Sequence, residues 1–204
     1  MMSASEETIF VVEDDEAVRD SMRWLLEGNG YRVVSFASAE DFLEQVDLRA
    51  QGCLIADIRM PGMSGLELQE VLIRRGSTLP HLFVTGHGDV PMAVECMKKG
   101  AYDFIEKPFS EASLCQAVSN CLALDRQQRD SVAAGRETDS RLSRLTAREQ
   151  QVLERIVAGR LNKQIADDLG ISIKTVEAHR ANIMEKLEAR SMAELMKTAL
   201  RAGL

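Results

Sequence analysis

Four short apolar runs in this chain each lead to a residue carrying a carboxylate, a hydroxyl or an ammonium. Ile9-Phe10-Val11-Val12 ends on Glu13 and Asp14. Cys53-Leu54-Ile55-Ala56 ends on Asp57, and His81-Leu82-Phe83-Val84 ends on Thr85. Tyr102 to Ile105 leads through Glu106 to Lys107, with Pro108 next. Unbroken apolar runs of this length are the signature of strands buried on both faces, and such strands are parallel. Ligands of open α/β sheets sit at the carboxyl ends of the strands. If the four runs are neighbours, three carboxylates, a hydroxyl and an ammonium meet at one place. Such a group can hold a divalent cation, accept a phosphoryl group and sense its arrival.

The segments between the runs read as helices, so strand and helix alternate through the first 124 residues. Strands are predicted near Thr8–Val12, Tyr31–Phe36, Cys53–Asp57, His81–Thr85 and Tyr102–Ile105. Helices are predicted at Glu16–Gly28, Ser38–Val46, Ser64–Arg75, Pro91–Lys99 and Ser110–Leu124. Ser64 with Glu67 forms a capping box, and Gly28 and Gly100 suit helix ends. Five such units predict an α/β fold, a doubly wound five-stranded parallel sheet with right-handed crossovers.

After Leu124 the chain becomes polar, from Asp125 to Arg144. This is an interdomain linker, and its richness in helix formers leaves both a helix and a flexible tether open. From 145 to 204 every signal is helical, so a second, small all-α domain is expected. Thr146 and Glu149 cap a first helix, Lys163–Leu169 leads to Gly170, Ser172 starts a longer helix to about Leu187, and Ser191 with Glu194 caps the last. A short helix, a glycine-containing turn and a longer helix are a helix-turn-helix pattern.

Charge divides the chain in the same way. Residues 1–140 hold 13 Lys+Arg against 24 Asp+Glu, a net of −11, whereas residues 141–204 hold 12 against 8, a net of +4. Different partners are expected for the two parts, and nucleic acid suits the basic one. The four cysteines form no CxxC pair and read as reduced structural thiols, Cys53 and Cys96 buried. No secretory signal and no apolar run of spanning length is visible, so the expected location is the cytoplasm, with no membrane partner. No catalytic triad, zinc spacing or nucleotide-binding glycine loop points to a conventional enzyme.

Three carboxylates near 5 Å apart repel by about 3 kcal/mol per pair at an effective dielectric of about 20. A cation relieves this, and an all-oxygen set with few protein donors suits Mg²⁺ (or Mn²⁺). Residues 8–124 resemble a two-component receiver domain, of flavodoxin-like fold. The resemblance rests on Val-Val-Glu-Asp-Asp (11–15), Asp-Ile-Arg-Met-Pro-Gly-Met-Ser-Gly (57–65), Thr-Gly-His-Gly-Asp-Val-Pro-Met-Ala-Val (85–94) and Asp-Phe-Ile-Glu-Lys-Pro-Phe (103–109). Residues 141–204 resemble a LuxR/FixJ-type helix-turn-helix, through Leu-Thr-Ala-Arg-Glu (145–149), Asn-Lys-Gln-Ile-Ala (162–166) and Lys-Thr-Val-Glu-Ala-His-Arg (174–180). Gly86–Met92 points to the FixJ-like branch of response regulators.

The resemblance implies that Asp57 accepts a phosphoryl group from a sensor histidine kinase. Asp14, Asp57 and the main-chain carbonyl of Arg59 would hold the metal, with Glu13 acting through water. The usual residue at position 13 is Asp. Lys107 would pair with the phosphoryl oxygens, Thr85 would donate its hydroxyl, and Phe104 would be the switch aromatic. Arg59 and His87, each two residues past a strand-end group, would tune dephosphorylation. Any enzymatic character would be limited to self-catalysed phosphoryl transfer and autodephosphorylation. Met60 and Met63 read as loop packing.

On a helical wheel of 172–187, Val176, Ile183 and Leu187 share the core side, with Met184 nearby. Lys174, Ala178, Ala181 and Glu185 lie opposite, with Glu177 and Asn182 at the edges. That outer face would enter the major groove. Ala178 and Ala181 can touch thymine methyls, and Glu177 can accept from cytosine N4. Lys163, Lys174 and Thr175 suit phosphate contacts. Arg180 lies close to the core side, where a salt bridge, for instance to Glu149, competes with a phosphate contact; His179 lies there too. The implied partners are the kinase, promoter DNA, RNA polymerase and a second copy of the chain after phosphorylation, with Ser191–Ala202 supporting the dimer. A rival reading, a receiver governed by a protein partner with Asp57 unused, sits badly with the intact Asp57, Thr85 and Lys107 set.

Overall fold

The structure is a computed structural model and describes residues 7–86, 90–202 and 204, without the side chains of 90, 91 and 93. Contacts divide the chain into two compact units, Met1–Gln128 and Arg129–Leu204.

The first unit holds strands β1 (Thr8–Val12), β2 (Arg32–Phe36), β3 (Gly52–Asp57), β4 (His81–Thr85) and β5 (Asp103–Glu106). They alternate with helices α1 (Glu16–Gly28), α2 (Ala39–Gln45), α3 (Gly65–Arg74), α4 (Val90–Lys98) and the part of α5 (Glu111–Leu142) up to Gln128. All pairings are parallel and the order is β2-β1-β3-β4-β5. The strand order therefore reverses between β1 and β3, which opens a crevice above their carboxyl ends. β1, β3 and β4 are buried along their whole lengths, as their apolar runs require. β2 is an edge strand with alternate residues exposed. It starts at Arg32 rather than Tyr31 because the Tyr31 N–H donates to the Leu26 carbonyl in the turn after α1.

Because strand side chains alternate in direction, the sheet buries two cores. Phe10, Val12, Leu54, Ala56 and Phe83 meet Phe42 of α2, Leu68 and Leu72 of α3 and Cys96 of α4. Ile9, Val11, Cys53, Ile55, Leu82 and Val84 meet Met22 and Leu26 of α1 and Leu114, Val118 and Cys121 of α5. The four cysteines are free thiols; Cys53, Cys96 and Cys121 are buried.

Two ties fix α5 against the amino-terminal end of the sheet. The buried Asp125 carboxylate accepts the Gly52 N–H at 3.0 Å, and Arg126 pairs with Glu7. Gly52 has φ +141°, and a Cβ there would lie 1.8 Å from the Thr8 carbonyl oxygen. The polar stretch for which a helix and a tether were both open is helical as far as Leu142.

In the second unit, α6 (Ala147–Val157), α7 (Asn162–Leu169), α8 (Ile173–Lys186) and α9 (Met192–Arg201) enclose a core of Leu145, Val152, Leu153, Ile156, Ile165, Val176, Ile183, Leu187 and Leu195. Thr146, Ser172 and Ser191 cap α6, α8 and α9 through their hydroxyls. Gly170 takes the left-handed conformation (φ +64°) that turns α7 into the approach to α8. Among the described residues no helix is long and apolar enough to cross a membrane.

Candidate functional site

The sheet register sets the level of the site. Val12 lies beside Ala56, Asp57 beside Val84, and Thr85 beside Glu106. Glu13 and Asp14, Asp57, Thr85 and Lys107 therefore leave their strands at one edge of the sheet. The Lys107 N–H donates to the Thr85 carbonyl at 2.8 Å, which continues the pairing past the end of β5.

Lys107 Nζ donates to Glu13 Oε2 at 2.8 Å and to Asp57 Oδ2 at 3.1 Å. One carboxylate oxygen from each of Glu13, Asp14 and Asp57 lies within 4.8 Å of the others. Glu13 and Thr85 are each 1% exposed and Asp57 8%, whereas Asp14 is open to solvent. Burial pushes the Glu13 carboxyl above the usual carboxylate value, and its hydrogen bond from Lys107 only partly opposes this; the Asp57 charge adds to the rise. Burial works against the Lys107 ammonium, but Glu13 and Asp57 outweigh it and hold its pKa above the ordinary lysine value. Three carboxylates and one ammonium leave a formal charge of −2, which one divalent cation would cancel. Hard oxygen donors in this number suit Mg²⁺, so the residues present fit the metal expected from the sequence.

The Thr85 hydroxyl donates to the Gly86 carbonyl at 3.2 Å. Phe104 is half-buried, lies beside Phe83 in the register and packs against the core. Arg59 is exposed, and its N–H lies 3.4 Å from Asp57 Oδ1. Met60 is buried and Met63 packs against the same core, as loop packing requires. His87 lies outside the described residues.

Three contributors escaped the sequence reading. Gly65 opens α3 so close to the end of β3 that a Cβ there would lie 2.3 Å from the Asp57 carbonyl oxygen. Glu40 of α2 accepts the Met63 N–H at 2.8 Å and so ties down the loop after Asp57. Arg19 of α1 donates to the carbonyls of Glu13 and Asp14. All three act across elements, so only the Arg19 position, a cation in a helix's first turn, carries a signal in the sequence.

In the second unit, Val176, Ile183 and Leu187 face the core. Lys163, Lys174, Glu177, Ala178, Ala181 and Asn182 are all exposed. Thr175 is half-buried, and its hydroxyl shares a 2.8 Å hydrogen bond with Ser172. The suggested Arg180–Glu149 salt bridge is replaced by another. Glu149, 3% exposed, meets Lys186 Nζ at 2.6 Å, while Arg180 lies half-buried beside the Met192 sulfur. Residues 180 and 186 differ by about 120° around α8, so Glu149 faces only one of them.

A sheet of this order, with a lysine bridging carboxylates at its carboxyl edge and a helix-turn-helix following in the chain, defines a receiver joined to a DNA-binding domain. Residues 9–119 match the family described as response regulator receiver domain, and residues 143–199 match bacterial regulatory proteins, luxR family. The chain is 47% identical to the transcriptional regulatory protein FixJ of Azorhizobium caulinodans, over 96% of this chain and 93% of that one. The solved structure of the response regulator StyR matches with a TM-score of 0.86 at 45% identity, covering 96% of this chain and 99% of that one. Full-length FixJ from B. japonicum matches with a TM-score of 0.62 at 41% identity, covering 98% of each. The chain belongs to the response regulators, as a FixJ-like transcriptional regulatory member with a receiver and a LuxR-type DNA-binding domain.

Proposed function

We propose that this chain is switched by phosphorylation of Asp57 and then binds promoter DNA as a dimer. The Lys107 ammonium shared between Glu13 and Asp57 carries the reading. A buried carboxylate next to an ammonium can act as a nucleophile and have its product's charge neutralised at once. An Asp57 oxygen attacks the phosphorus of a phosphohistidine on a sensor kinase. The oxygen–phosphorus bond forms, the nitrogen–phosphorus bond breaks, and the imidazole leaves. The Lys107 ammonium then pairs with the phosphoryl oxygens. The Thr85 hydroxyl exchanges the Gly86 carbonyl for a phosphoryl oxygen, and Phe104 turns inward as Thr85 moves.

Asp14, Asp57 and the Arg59 carbonyl would hold Mg²⁺, with Glu13 acting through water. The metal would supply positive charge to the transferring group. Arg59 and His87 would tune the lifetime of the acyl phosphate; Arg59→Ala changes that lifetime. In the second unit the exposed face of α8 reads bases through Glu177, Ala178, Ala181 and Asn182, while Lys163, Lys174 and Thr175 touch phosphates. Two copies reading two half-sites multiply affinity, and RNA polymerase is the partner of the bound dimer.

The test is the mass and DNA affinity of the full chain with Mg²⁺, before and after beryllofluoride, beside Asp57→Ala. The expected result is dimerisation and tighter, salt-dependent DNA binding only when Asp57 is present. Strong DNA binding indifferent to beryllofluoride would overturn the phosphoswitch and favour control by a protein partner.

A further inference from the structure

The turn between β1 and α1 has to present two carboxylates, Glu13 and Asp14, that repel each other and Asp57. The strand ladder no longer holds it. β1 ends at Val12, and the last sheet-like bond is the Glu13 N–H donated to the Phe36 carbonyl at 3.1 Å. Beyond that point the carbonyls of Glu13 and Asp14 have no strand partner in the pairing of β1 with β2 or β3. Arg19 supplies the missing donors. Its Nη1 donates to the Glu13 carbonyl at 2.7 Å and to the Asp14 carbonyl at 3.1 Å. One nitrogen thus donates to two consecutive peptide carbonyls, through charge-assisted bonds that are stronger than neutral ones.

Arg19 stands where a cation is otherwise out of place. It is in the first turn of α1, which begins with Glu16 behind the N-cap Asp15. The macrodipole disfavours a positive side chain there. Its opposite effect on the turn gives it a reason to be present. Fixing two successive peptide planes fixes the directions in which the Glu13 and Asp14 side chains leave the backbone. Asp15 completes the turn, since its carboxylate accepts the Val18 N–H at 3.1 Å.

We infer that Arg19 is a positioning residue for divalent-cation binding, a clamp on the main chain of Glu13 and Asp14 that holds their carboxylates against mutual repulsion. This rests on the proposed reading of the Glu13, Asp14 and Asp57 cluster as a cation site. The clamp has a sign that simple charge does not. By charge alone, removing a nearby guanidinium relieves repulsion of an incoming cation and tightens binding. By positioning, removing it lets the carboxylates spread and weakens binding, as loss of groups that orient metal ligands does, by 10-fold or more.

The experiment is titration of the full chain with Mn²⁺, free ion being read by electron paramagnetic resonance. It uses the natural sequence, Arg19→Ala and Arg23→Ala, with circular dichroism confirming that each is folded at the working temperature. Arg23 lies one turn further along α1 and pairs with Glu27, so its loss removes the same charge without touching the turn. The expected result is a Kd raised about tenfold in Arg19→Ala and unchanged in Arg23→Ala. A role confined to stability would lower the melting temperature and leave the Kd of the folded protein where it was. An unchanged or lower Kd in Arg19→Ala, with Mn²⁺ still bound by the natural sequence, overturns the clamp and leaves the cation site standing. No Mn²⁺ binding by the natural sequence overturns both. If Arg19→Ala does not fold, Arg19→Lys is read by the same criterion, since lysine keeps the charge but its nitrogen falls one bond short of the two carbonyls.

Discussion

Glu13 of the receiver unit and Glu149 of the C-terminal unit are built from the same parts. Each is almost fully buried, and each meets a lysine ammonium, at 2.8 and 2.6 Å. Their ionisation moves in opposite directions. The Glu13 carboxyl is raised above its ordinary value, because burial dominates and a second carboxylate, Asp57, competes for the lysine. Burial also raises Glu149, but Lys186 and both the N–H and hydroxyl of Thr146 outweigh it, and the carboxyl lies below its ordinary value. One carboxylate has every partner it needs and closes a helix end. The other shares its partner with a neighbour and is suited to a further cation. The pairing of residue types is thus a poor guide to role, and the number of donors per carboxylate is a better one.

That contrast can be broken most forcefully at Glu149. Glu149→Ala removes the acceptor of three donors and leaves Lys186 without its partner, so urea denaturation should show the C-terminal unit weakened by about 2–3 kcal/mol. Acid should gradually remove the part of this stability that depends on the Glu149 charge. A carboxyl whose folded pKa is depressed contributes stability above its ordinary value near 4.5, and that contribution is lost as the pH falls through the lower folded value. Hydrogen exchange of α6 and α8 below pH 4.5 follows it, and Glu149→Gln should flatten the dependence.

Glu13→Gln should do the opposite. Repulsion between carboxylates whose oxygens lie within 4.8 Å of each other is at least about 3 kcal/mol at an effective dielectric of about 20, and losing a charge-assisted bond to Lys107 costs about 2. A net gain of about 1 kcal/mol in the receiver's stability without metal is expected, together with weaker Mn²⁺ binding. Destabilisation would place Glu13 in the same class as Glu149. The smallest effect is expected at Leu161, the N-cap of α7, whose side chain offers no acceptor although Gln164 already accepts its N–H at 2.9 Å. Leu161→Ser should complete a capping box and stabilise the C-terminal unit by about 0.5–1 kcal/mol, read as a rise in its melting temperature.

The strand ends were legible in the sequence because a buried parallel strand declares itself by an unbroken apolar run, and the residue after the run is then at the sheet edge. Asp57, Thr85 and Lys107 were found that way, and the Glu13, Asp14 and Asp57 convergence followed from it. The core face of α8 was equally legible, since the wheel separates Val176 and Ile183 from Ala178 and Ala181. What a wheel does not say is which neighbour waits on a given side, so Glu149 was offered to Arg180 and the structure gives it to Lys186. Gly65 and Glu40 were invisible for a related reason: a 2.3 Å approach to the Asp57 carbonyl and a bond from α2 to the loop before α3 exist only once separate elements are packed. The polar stretch after Leu124 was ambiguous because helix formers without an apolar stripe fit a solvated helix and a coil alike; it is helical to Leu142.

The hydrogen bond from Gly52 to Asp125 bears on how this protein is cut into pieces for study. A receiver fragment ending at Leu124, where the apolar pattern stops, would discard the acceptor of a buried N–H at the start of the central strand. No side chain can be grafted onto Gly52 to replace it, because a Cβ there strikes the Thr8 carbonyl. Such a fragment would begin its life short of about 1–3 kcal/mol, and weak expression or loss of phosphorylation in it would report on the scissors. A fragment carried through Gln128 keeps both Asp125 and Arg126.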